Sequence, residues 1–153
     1  MALYELAQLN CAVPLYEKQD PCFSGFVDFL DEINGLGDSQ PGCKWRLKDD
    51  DNDAMSMSLD DAPGFLFNVT VWDSVESLHA FVYRTKHVEF FKRRDEWFIP
   101  QPEPTTVLWW VEAGHRPSLQ EAWDRLMHLR EHGPTPHAFQ FKKRFAMPKV
   151  NSD

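Results

Sequence analysis

The 153-residue chain has only three cysteines, Cys11, Cys22 and Cys43, and no two stand at C-x-x-C spacing. An odd set of unpaired thiols argues against a disulfide framework or a zinc knuckle, and for reduced cysteines in a cytoplasmic protein. No run approaches the ~18 apolar residues of a membrane span. The opening MALYELAQLN carries an early glutamate and no basic stretch ahead of an apolar one, so it does not read as a secretion signal. Glycine is scarce, seven in all, and G-x-G-x-x-G, G-x-x-x-x-G-K-[ST] and G-x-S-x-G are all missing. That removes the nucleotide fingerprints and the nucleophile elbow. Positive charge is also short: 16 Lys and Arg against 24 Asp and Glu give a net charge of −8. An acidic surface repels phosphate, so neither nucleic acid nor an anionic membrane is an expected partner. The basic runs Lys92-Arg93-Arg94 and Lys142-Lys143-Arg144 are flanked by phenylalanine and read as solvated faces of half-buried elements.

Apolar residues make up 42% of the chain and aromatics 14%, including twelve Phe and six Trp, enough for one core without a metal or a staple. The length fits one domain, taken as residues 1–147, with a frayed tail at 148–153. Leu3 to Val13 reads as a strand. Asp20-Pro21 opens a helix carrying Phe23, Phe26, Val27, Leu30 and Ile33 inward, which Gly35 and Gly37 are expected to end. Cys43 to Lys48 is a short strand with Trp45 and Leu47 on one face. An acidic connector, Asp49 to Pro63, leads to Phe65–Trp72 (FLFNVTVW), read as a strand apolar on both sides. Asp73-Ser74-Val75-Glu76 resembles a capping box and starts a helical region running to about Arg94, with a break near His87. Thr105–Glu112 is a strand. Ser118-Leu119-Gln120-Glu121 caps another helix, which Gly133-Pro134 stops, and Phe139 to Phe145 alternates like a final edge strand.

The order β-α-β-β-α-β, then α-β, predicts a ferredoxin-like α+β fold: an antiparallel sheet with helices on one face. Adjacent Trp109 and Trp110 must point to opposite faces, so both faces want burial. The simplest cover for the second face is another copy, giving a C₂ homodimer; the extra final helix is the alternative.

The run Thr70-Val71-Trp72-Asp73-Ser74-x-Glu76-x-Leu78, followed by Tyr83-x-Thr85-x-His87-x-x-Phe90, resembles the dimeric α+β-barrel superfamily, best known for its antibiotic-biosynthesis monooxygenase-like branch. With Gly114-His115-Arg116-Pro117 and His132-Gly133-Pro134-Thr135-Pro136, the chain from about 3 to 145 looks like an uncharacterised bacterial family within it. The superfamily match itself covers about 3 to 112. The resemblance implies a homodimer and a cavity between sheet and helices, but no single activity: members include cofactor-free monooxygenases, haem-degrading enzymes, haem-dependent dehydratases, isomerases and stress proteins. In the haem-degrading and cofactor-free branch an Asn on the first strand, with a Trp and a His on the second helix, lines the cavity. Asn10 matches the first and His87 the third, while the Trp position falls near Phe81. Trp72, Trp97 or Trp109 can stand in for it.

His87 sits among Tyr83, Phe90 and Phe91. It reads as a general base, as a haem-iron ligand, or as a structural histidine at a helix break. Tyr83 shares its helix face. Asn10 interrupts an apolar strand and either holds a substrate oxygen or bonds across strands. Trp72, Phe91, Trp97 and Trp109 are candidate substrate contacts, or simply core. Arg116 is a candidate for an anionic substrate group or a partner carboxylate at the barrel rim. His128-Leu129-Arg130-Glu131-His132 has the inverse zinc motif's form, but the helix ends at once and no third ligand is evident. Asp49, Asp51 and Asp53 have calcium-loop spacing but lack its glycine and its terminal Glu. The expected activity is a cofactor-free, monooxygenase-like reaction on a hydrophobic, aromatic or polyketide-like molecule, with a haem protein and a non-catalytic ligand-binding or stress domain as alternatives.

Overall fold

The computed structural model describes residues 3–17, 19–47, 59, 64–84 and 87–148, without the side chains of Asp31, His87, Phe90 and Phe91. Among the described residues four strands form one antiparallel sheet: β1 (Tyr4–Ala12), β2 (Cys43–Arg46), β3 (Leu66–Trp72) and β4 (Thr106–Glu112), in the order β2-β3-β1-β4. This is the ferredoxin-like arrangement. Central β1 pairs Gln8 with Thr70 of β3 and with Leu108 of β4, and Asn10 with Asn68 and Thr106.

The helices are α1 (Ser24–Asp38), α2 (Val75–Arg84), α3 (His87–Lys92) and α4 (Leu119–His132). Asp20 accepts the Cys22 amide at 2.8 Å and caps a 3-10 turn, Pro21–Phe23, that leads into α1. Contrary to expectation, α1 runs through Gly35 and Gly37 to Asp38. Gly37 is there for space: a Cβ would meet the Phe81 ring at 3.2 Å. The cap of α2 is Ser74, whose hydroxyl accepts the Ser77 amide at 3.1 Å. α2 is described to Arg84 and α3 from His87; the residues between them, where the break is expected, lie outside the described residues. Ser118 accepts the Glu121 amide at 3.1 Å, and Gly133, at φ 74°, ends α4 as expected.

Alternation along the strands separates two cores. On one face Leu6, Trp72 and Leu108 pack with Ile33 of α1 and with Val75, Leu78 and Phe81 of α2. On the other face Ala7, Leu9, Phe67, Val69, Val107 and Trp109 pack with Ala122, Trp123, Leu126 and Leu129 of α4. The second face is thus covered within the chain by its own last helix, the cover first assigned to a twin. Burying a large apolar side chain contributes about 1.5–3 kcal/mol, so α4 contributes strongly to stability without any association.

The segment 139–145 is not a strand. Phe139 makes one pair of 2.8 Å backbone bonds with Leu108, extending the sheet by a single bridge beside β4. The chain then turns at Gln140–Lys143, and the Trp110 indole donates to the Phe145 carbonyl at 2.9 Å. The arm so formed brings Phe139, Phe141 and Phe145 onto the α1/α2 face. Arg46, which alternation sets on the face of β2 opposite Trp45, is buried and makes a bidentate pair with Asp38 at 3.0 and 3.1 Å. The acidic connector, except for Leu59, and the terminal residues 149–153 lie outside the described residues.

Candidate functional site

Alternation puts Gln8 and Asn10 of β1 beside Asn68 and Thr70 of β3 on the α1/α2 face. These four polar side chains form a row across the central strands. On one side lies the core of Leu6, Trp72, Leu108 and Phe81. On the other lies an aromatic cluster of Phe23, Phe26, Trp97 and Phe98, with Leu66 and Ala12 against it. The chain leaving β1 holds that cluster in place: Leu15 donates its amide to Trp97 at 2.7 Å, and Ile99 donates to Val13 at 2.9 Å.

The row is internally bonded. Gln8 Nε2 donates to the Thr70 hydroxyl at 3.0 Å and to the Asn68 carbonyl at 3.2 Å. The Trp72 indole donates to the same hydroxyl at 2.8 Å. Asn68 Nδ2 donates to Asn10 Oδ1 at 3.0 Å. Gln8 and Thr70 are buried, at 5% and 6% exposure, while Asn10 and Asn68 are half-buried. The row therefore has a deep end and a more open end.

The structure brings some of the expected site residues together and separates others. Asn10 is part of the row and Trp72 of β3 bonds to it through Thr70, while the Trp72 ring stacks on Phe81 of α2 at 5.3 Å. Trp97 borders the row from the aromatic cluster. Tyr83 is 41% exposed and packs against His79 and Phe141, at 4.6 and 6.1 Å between ring centres. His87 begins α3, and its side chain and that of Phe91 lie outside the described residues. Trp109 is on the opposite face, with α4, so the sheet stands between it and Asn10. Arg116 reaches Glu5 at 3.4 Å and lies over the Trp45 ring at 5.9 Å; its carboxylate is one of this chain's own.

Gln8, Asn68 and Thr70 were not singled out from sequence. The signal was present: in LFNVTVW the positions facing α1 and α2 read Leu66, Asn68, Thr70 and Trp72, so one face of that strand is half polar. A groove of about 430 Å³ lies elsewhere, along edge strand β2, lined by Asp38, Cys43, Lys44, Trp45, Arg46 and Leu47. Its Arg46 is already engaged by Asp38, so it presents little free chemistry. Cys11 faces α4, and burial pushes its thiol up to about 11 despite the opposing charge of Arg130, which makes it a poor nucleophile.

The H-x-x-E-H motif gains a third imidazole: His128 lies 4.4 Å from His132 and 4.5 Å from His137 between ring centres. The Arg125 guanidinium, however, donates to His137 Nδ1 at 2.9 Å, occupying one ring nitrogen and setting a cation against the cluster. Among the described residues no group of His, Cys, Asp or Glu is arranged to hold a metal. Burial, then Arg125, then His128 hold the His137 imidazole below its ordinary value. The folded chain keeps this ring neutral, while the unfolded chain protonates it near pH ~6.5. Its contribution is therefore present above that pH and is lost as the pH falls through the lower folded value. Melting temperatures at pH 7.5 and 5 should show a smaller acid-induced drop for His137→Gln than for the native chain.

The model of a family described as a domain of unknown function (DUF3291) matches residues 5–153. No curated protein matches the chain in sequence. Among solved structures it is similar to a protein of unknown function from Nitrosomonas europaea, at 12% identity and TM-score 0.47, covering 76% of this chain and 97% of that one. It is also similar to a conserved protein from Methanosarcina mazei, at 13% and 0.49, covering 72% and 93%. A third is a proposed antibiotic biosynthesis monooxygenase from Chloroflexus aurantiacus, at 16% and 0.42, covering 75% and 98%. No helix among the described residues is long and apolar enough to cross a membrane.

Proposed function

We propose, for a chain that belongs to the DUF3291 family, that the α1/α2 face of its sheet is the reaction site of a small-molecule enzyme of the cofactor-free monooxygenase kind. The substrate is hydrophobic, aromatic or polyketide-like. The observation that carries this reading is the uncharged polar row Gln8-Asn10-Asn68-Thr70, set between two aromatic-rich clusters. Such a surface suits an apolar ring bearing a few oxygens.

The chemistry follows from the groups available. An acidic C–H or O–H next to a carbonyl loses its proton to a base, the role assigned to His87. The resulting enolate passes electrons to dioxygen. One oxygen atom enters the ring carbon as a carbonyl and the other leaves as water. For an anthrone, the ring CH₂ becomes C=O, and anthrone plus O₂ gives anthraquinone plus H₂O. Asn10, whose Oδ1 is held by Asn68, has Nδ2 to donate to the developing oxyanion. Trp72 and Trp97 shape the apolar walls, and Tyr83, with Phe141, stands at the exposed rim.

Dioxygen uptake with 9-anthrone tests the reading. Native protein should accelerate uptake and form anthraquinone, and Asn10→Ala should lose about 10²-fold or more of that acceleration. Uptake no faster than in buffer removes the oxygenase reading. A Soret band in purified native protein, lost in His87→Ala, replaces it with a haem-dependent one. A rise in melting temperature without turnover points to a binding domain.

A further inference from the structure

We infer that Gln8, together with Thr70, sets the ligand specificity of this site, selecting a neutral polar head that both donates and accepts a hydrogen bond. The inference rests on the reaction-site reading above. Gln8 Nε2 faces the Asn68 carbonyl, which can only accept, so the amide nitrogen must lie on that side and Oε1 on the other. Among the described residues Oε1 has no hydrogen-bond partner, although Gln8 is 5% exposed. Thr70 accepts from both Gln8 and Trp72, which uses its lone pairs and leaves its hydroxyl hydrogen to donate. That hydrogen too has no acceptor among the described residues, at 6% exposure. Buried polar atoms are nearly always paired, so an orphan acceptor on Gln8 and an orphan donor on Thr70, two side chains already bonded to each other, mark a place for a ligand group. A phenolic or enolic hydroxyl fits both: it donates to Oε1 and accepts from Thr70. An ether accepts but cannot donate. A carboxylate accepts only, and it would bring a charge into a row that holds none.

Binding of 2-naphthol, 2-methoxynaphthalene and 2-naphthoate, followed by quenching of tryptophan fluorescence, tests this. Native protein should bind the naphthol about tenfold or more tighter than either of the others. In Gln8→Met that preference should shrink to about twofold or less, with affinity for the ether retained. Thr70→Val, checked for folding by its melting curve, should weaken the naphthol and the ether alike. Equal native affinities for naphthol and ether would mean that a resident water satisfies the pair, and would overturn the role of Gln8 while leaving the site intact. A naphthol preference that persists in Gln8→Met overturns it too. Failure of native protein to bind any of the three overturns the site itself, and this inference with it.

Discussion

Trp109→Ala should lower the free energy of unfolding by about 3–5 kcal/mol. The side chain is fully buried on β4, the strand beside central β1, in the core shared with α4. Its removal leaves a large void that strands and helix can only partly close, so lost transfer energy and lost contacts add. The indole also donates to Glu121 Oε2 at 3.4 Å, while His115 contacts Oε1 of the same carboxylate at 2.8 Å. The variant cuts one of these ties between sheet and helix. Because Glu121 is partly exposed, that loss adds little to the cavity cost. Set against a typical total of about 5–15 kcal/mol, the variant should be on the edge of unfolding at room temperature. In urea the midpoint should drop sharply with an unchanged slope. A midpoint within error of the native one would mean that α4 does not seal this face. Trp110→Ala, at a half-buried position on the other face, should cost visibly less.

Phe139→Ala should cost a similar amount, about 3–5 kcal/mol, through a different route. Phe139 is fully buried and is the only point at which the arm bonds to the β4 backbone among the described residues. Its ring lies 6.4 Å from Trp110 and 5.9 Å from Phe145. Alanine keeps the two backbone bonds to Leu108 but loses the buried ring that holds the arm, while α4 keeps its own contacts, so the arm should open before the rest of the molecule. Trypsin reports this directly, because Lys142, Lys143 and Arg144 are all exposed beyond the anchor. Cleavage there should accelerate about a hundredfold or more, following the larger open population. Equal cleavage rates in native and variant protein would show that Phe139 does not hold the arm.

The elements whose sequences carry both a start signal and a period were legible. Asp20-Pro21, Ser118-x-x-Glu121 and Gly133 fall where the structure uses them. Where residues have a use in tertiary packing, local rules misled. Gly37 reads as a helix end, but the fold employs it as clearance for Phe81. A strand's alternation gives the face that Arg46 shares with Lys44, but does not reveal Asp38 waiting for it at the end of α1. The final helix was read correctly as a helix, while its place over the second face was read only as the alternative to a twin. Amphipathic periodicity says that a face will be buried, without saying against what. At the site, Asn10 stood out as polar in an apolar strand. Thr70 was hidden because it is β-branched and passes as an ordinary strand former. Gln8 was hidden because a lone polar residue in a strand usually points to water. Only the strand register, which puts Gln8 opposite Thr70, reveals that the two meet.

The closure of both sheet faces by 119–139 has a consequence for the newborn chain. A polypeptide that has just completed Glu112 possesses β1 to β4, yet Leu9, Val69 and Trp109 have no α4 over them, and Leu108 has no Phe139. At ribosomal speeds of about 5–20 residues per second, the stretch that finishes the job follows only after about one to five seconds. Through that interval the nascent molecule offers a greasy, strand-lined surface to whatever is nearby, including its siblings on the same message.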